Sequence, residues 1–145
     1  MNEKIELLKH IYKDSEMASY TIEELLQDLK DKDNKIKKLV QELLNSYQEF
    51  LYKSKDILKS KNEDLPQNGV MNKIGAKMGI DKNVRNDNSD SSIADMLIKG
   101  ISTGIIDTEK KINDYNDVVN KETLDLAKKF LTFQEESIEK LKGYL

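Results

Sequence analysis

The chain has 145 residues, 37% of them hydrophobic and 35% charged, with a formal net charge of −3, one histidine and no cysteine. That length suits one domain with a real core, while the missing cysteine removes disulfides, thiolate nucleophiles and thiolate-bound zinc. Charges of both signs are interleaved and Arg85 is the only arginine, a balance that argues against a dedicated nucleic-acid surface, which needs a basic excess.

The opening "MNEKIELLKH" is acidic and amphipathic, not basic and then apolar, so it does not read as a signal peptide, and a cytoplasmic protein is expected. Apolar and small residues at Ile5, Leu8, Tyr12, Ser15, Ala18, Ile22, Leu25 and Leu29 recur by threes and fours, which predicts a first helix over about 3–30. "KDKDN" breaks the stripe, and Asp33 or Asn34 is expected to cap a second helix over 34–61. That helix carries Ile36, Leu39, Leu43, Ser46, Phe50 and Ile57, with Val40, Tyr47 and Leu58 beside them.

The tract from Asn62 to Ser92 holds the only proline, Pro66, and three of the six glycines. It is expected to be a crossover over 62–90. Its middle, "VMNKIGAKMGI", is weakly amphipathic and reads as a short helix capping one end of the fold. A membrane-surface role for it is disfavoured because Asp81, Asp87 and Asp90 nearly cancel Lys73, Lys77, Lys82 and Arg85.

A third long helix is predicted over 91–116, entered through a capping box of Ser92 and Asp95 and carrying Ile93, Leu97, Ile101, Ile105, Thr108, Ile112 and Tyr115. Asn120 is expected to cap the last helix, 120–144, whose stripe is Leu124, Ala127, Leu131, Gln134, Ile138, Leu141 and Leu145. Four helices, each about 40 Å long at about 1.5 Å per residue, predict an all-α four-helix bundle. Two short connections and one long one predict two antiparallel hairpins joined by a crossover, the ferritin-like topology. A simple up-down-up-down bundle is the second choice.

The segments "IADMLIKGISTGIIDTEKKINDY" (93–115) and "FQEESIEKLKGYL" (133–145), together with this order of elements, resemble small uncharacterised bacterial proteins of the ferritin-like superfamily. The resemblance implies a bundle fold and raises the question of a di-metal centre. Di-iron members use a Glu from each of two helices and Glu-x-x-His from the other two. Here the mid-helix carboxylates are Glu16, Glu42, Glu109 and Glu135, with Glu49 as a substitute for Glu42, but Asn45, Tyr52 and Ile138 stand where histidines would be needed. The four glutamates flank the apolar stripes, where carboxylates pair with lysines on helix edges. The first reading is therefore no cofactor, with an iron or manganese site on these four residues as the alternative. The lone histidine, His10, lies off the stripe and reads as a surface residue.

Aligning each hairpin about its loop places Gly104 beside Gln134, Gly100 beside Ile138, and Ser19 beside Ser46. A small, polar middle layer of Ser19, Ser46, Gly104 and Gln134 is expected, with Gln134 bonded to Ser46, Thr108 or water. "GISTG" has a serine between glycines but lies in a helix, without the strand-turn-helix of a nucleophile elbow. Without nucleophile, base or phosphate loop, an enzyme is not the expected class. The function expected is structural or protein-interaction, with the chain itself or another protein as partner, through a bundle face or the crossover. Bundles of this size often bury an apolar edge by dimerising, though no residue here demands it.

Overall fold

The computed structural model describes residues 5–145 and is all-α, with no strand among them. Its helices are α1 (Glu6–Asp28), α2 (Lys37–Ser60), α3 (Val70–Asn86), α4 (Asp90–Tyr115) and α5 (Lys121–Lys142). The four long helices fall where the periodicity puts them, although the expected start near residue 3 lies outside the described residues. The correction is α3, a 17-residue helix within the crossover and a fifth element. It does not cap an end: it lies along α1 in the same direction, with Asn68 beside Lys13, Lys73 beside Glu16 and Lys77 beside Glu24.

The remaining directions follow from contacts at matching heights. Gln48 of α2 reaches Glu23 of α1. Thr108 of α4 meets His10 of α1, while Asp90, at the start of α4, sits at the α1–α2 turn. Gln134 of α5 meets Thr108.

The core is continuous. Leu7, Leu8, Ile11 and Leu25 of α1, Leu58 of α2, Ile93 of α4, and Phe130 and Leu141 of α5 are all fully buried. Leu29 and Ile36, also fully buried, anchor the α1–α2 turn. The buried face of α5 is rotated from the predicted stripe: Leu126, Phe130 and Ser137 are inside, whereas Leu124, Leu131 and Ile138 are half-buried and Leu145 is exposed. The cause is aromatic packing. Phe130 and Phe133 stack edge-on against Tyr47, with centroids 6.0 and 4.9 Å away, and Phe50 lies 5.0 Å from Phe130.

Helix ends are handled in three ways. Asn120 caps α5 as expected, its Oδ1 accepting from Thr123 N at 2.9 Å. The cap of α4 is Ser89, which accepts from Ser92 N, so the capping box at Ser92 is displaced by three residues. Neither Asp33 nor Asn34 caps α2, which has no side-chain cap of its own. Instead Asp90 of α4 accepts from Lys35 N and Ile36 N at 3.2 and 3.5 Å, while Asn34 donates to Asp90 Oδ1 at 2.8 Å. One carboxylate thus serves the positive ends of two helices. The C-terminus of α2 closes with Asn62 at φ 58°, Glu63 N bonding Leu58 O and Asn62 N bonding Lys59 O. This is a Schellman motif in which asparagine takes the usual glycine position.

Candidate functional site: a polar layer and an apolar cleft

Gly104 and Thr108 are one turn apart on the buried face of α4, and His10 and Asp14 one turn apart on α1. Gln134 reaches between them from α5. Its Nε2 donates to Asp14 Oδ2 at 3.1 Å, and its Oε1 lies 3.2 Å from the Thr108 hydroxyl. That hydroxyl is also 2.7 Å from Gly104 O and 2.8 Å from His10 Nε2. Its single proton serves one of these three acceptors at a time, and the role of His10 Nε2 follows from the tautomer of the imidazole.

Burial acts in opposite directions on the two ionisable ends of this chain of bonds. His10 is lowered to about 4, first by desolvation, with Asp107 opposing and Lys111 assisting. Asp14 is raised to about 6, again first by desolvation, with the Gln134 hydrogen bond opposing and Asp107 assisting. Tyr47, buried nearby on α2, is raised by burial and then by Asp14. All three shifts favour the neutral form, as expected where charge is removed from water.

This layer corresponds only partly to the one expected. Gly104 and Gln134 are adjacent, and Thr108 is a partner of Gln134. Ser19 is buried but its hydroxyl, like that of Ser15, has no protein partner among the described residues, and Ser46 is half-buried. The members missed are His10, which is half-buried and hydrogen-bonded rather than a plain surface residue, and Asp14. Their i, i+4 spacing on one edge of the α1 stripe was the available signal.

The four glutamates do not converge. Glu42, Glu109 and Glu135 are exposed. Glu16 is engaged separately, accepting from Tyr12 Oη and Asn68 Nδ2 and lying 3.4 Å from Lys73 Nζ. Among the described residues, the group with ligand atoms close enough to share a cation is Glu24, Asp28 and Asp81. Lys77 already sits in it, 2.8 Å from Glu24 and 2.9 Å from Asp81. There Asp28 is raised to about 6 by burial and by its hydrogen bond with Asp81, which is itself lowered by that bond and by Lys77. This set ties α3 to α1.

Above Asp14 opens a cleft of about 400 Å³ between α1, α3 and α4. Ala18, Ala76, Gly79 and Gly100 keep its walls thin, Met17, Ile80, Met96 and Ile101 make them apolar, and Asp14 and Tyr47 are its ionisable lining groups. A Cβ on Gly79 or Gly100 would meet nothing within 4 Å. A neighbouring polar groove, lined by Lys9, His10, Lys13, Asp107 and Lys111, reaches Asp14 from the other side.

Fold and site together define an all-helical protein with a polar layer between α1, α4 and α5 and an adjoining apolar cleft, none of whose described helices is long and apolar enough to cross a membrane. Comparison with models of protein families, with curated proteins and with solved structures gives no match.

Proposed function

We propose that the chain is a ferritin-like bundle protein, without a complete di-metal centre, that acts as a structural or protein-interaction module. In this reading α1–α2 and α4–α5 are the two hairpins and α3 is an elaborated crossover. The observation that carries the interaction role is the outer face of α3. Val70, Met71, Ile74 and Met78 recur along it at 73%, 77%, 44% and 65% exposure, while Lys73 and Lys77 turn away to glutamates of α1. An uncharged apolar stripe on a helix, rimmed by polar residues, is the usual mark of a contact surface.

The stripe is self-complementary in chemistry, so the partner proposed is a second copy, α3 against α3. Sedimentation equilibrium tests this. A concentration-dependent dimer is expected, lost when Met71 and Met78 are both changed to Glu. A wild-type chain that stays monomeric at high concentration contradicts the homotypic role.

A further inference from the structure

We propose that the cleft between α1, α3 and α4 binds a small apolar amine, with the ammonium group hydrogen-bonded to Asp14 and the hydrocarbon body against Met17, Ile80, Met96 and Ile101. The cleft, about 400 Å³, falls within the range of about 300–1,000 Å³ typical of ligand sites. Its walls are apolar with a polar end, the arrangement that orients a ligand carrying one polar head.

The anchor is chosen by charge. Asp14 gives Oδ2 to Gln134, and among the described residues it forms no salt bridge and Oδ1 receives no hydrogen bond. A largely buried carboxylate is stabilised by a hydrogen-bonded cation more than by any other partner. No lysine or arginine lines the cleft itself, the nearby Lys9, Lys13 and Lys111 lying in the separate polar groove, whereas a carboxylate ligand would face Asp14. Gly79 and Gly100, both exposed, border the cleft from inside helices, and no neighbouring atom lies within 4 Å of where their Cβ atoms would stand, so a larger side chain there has room to lie over the cleft.

Isothermal titration calorimetry near neutral pH with octylamine, octanol and octanoate tests the proposal on the wild-type chain. Octylamine should bind, octanol about ten-fold or more weakly, and octanoate not at all. Asp14→Asn should reduce octylamine binding to the level of octanol and leave octanol unchanged. Gly100→Leu, placed in open space on the cleft wall, should abolish binding of both while the helical circular dichroism stays unchanged; Gly79→Leu serves if it does not. The proposal is overturned if octylamine does not bind, if octanoate binds as well as octylamine, or if amine binding survives in both cleft-filling variants, which would place it on the outer face of α3.

Discussion

A Cβ built on Gly104 would lie 2.7 Å from Gln134 Nε2. The same Cβ would lie 2.9 Å from Asp14 Oδ2, so the missing side chain is the space in which the amide and the carboxyl meet. Gly100, one turn earlier, faces open space. The two glycines of "GISTG" therefore answer different needs, and alanine should have opposite effects at them. Gly104→Ala forces apart two side chains bonded to each other and should lower stability by about 1–3 kcal/mol. Gly100→Ala relieves a helix-interior glycine at a position with ordinary helical φ and should raise it by about 0.5–1 kcal/mol. Urea unfolding of the two variants checks the pair. Equal effects of the same sign would mean that the polar layer is not packed against Gly104.

The opposed shifts of His10 and Asp14 predict a compensated pH dependence. Asp14, raised to about 6 when folded, binds more protons in the folded than in the unfolded chain between about 4 and 6, so its contribution falls as pH rises through that window. His10, lowered to about 4, binds more protons in the unfolded chain between about 4 and 6.5, so its contribution rises over nearly the same window. Each is worth up to roughly 3 kcal/mol. Asp14→Asn should leave a stability that climbs from pH 4 to 6.5, and His10→Gln one that declines from pH 4 to 6. Asp28 and Asp81 are common to both variants and cancel in the comparison. Two variants with parallel pH profiles would exclude the opposed shifts.

Asp90 links the ends of α2 and α4. Asp90→Ala removes the acceptor for Lys35 N and Ile36 N and the partner of Asn34, and should destabilise by about 1–2 kcal/mol, as capping losses do. Asp90→Asn keeps an acceptor oxygen and should recover about half. Thermal unfolding of the two variants at equal pH measures the difference. An alanine variant as stable as wild type would show that the α2 N-terminus is satisfied by solvent.

Only Ile80 and Val84 of α3 are buried, and its polar ties to α1 are exposed ion pairs, which contribute about 0–1 kcal/mol each. In the monomer, at concentrations too low for the proposed α3–α3 contact, amide hydrogen exchange should therefore be fastest, among the helices, in Val70–Asn86. Ile80→Ala should accelerate it there and leave α5 protected. Protection of α3 equal to that of α5 at those low concentrations would contradict its weak attachment to α1.

What the sequence made legible follows from how locally each feature is encoded. The four long helices are written in stripes of Leu and Ile, and the Gly104–Gln134 contact follows from counting equal distances out from a turn centred near residue 119. The position of Glu42, Glu109 and Glu135 beside the stripes likewise matches their exposure. Helix α3 is hard to read because its apolar residues are divided between faces: Ile80 and Val84 point inward, but Val70, Met71, Ile74 and Met78 point out. No single stripe marks it. Asp90 as the cap of α2, and His10 and Asp14 as members of the polar layer, depend on contacts across 54 to 120 residues. The shift of the α5 face toward Phe130 has the same origin, since its aromatic partners Tyr47 and Phe50 lie on α2.

Asp14 and Gln134 share one part-buried hydrogen bond, and side-chain amide NMR of Gln134 across a pH titration tests this most directly. The Nε2 proton resonances should move with a midpoint near 6, following Asp14, and stay fixed in Asp14→Asn. Resonances that do not move, or that move with the ordinary carboxylate midpoint of about 4, would contradict it.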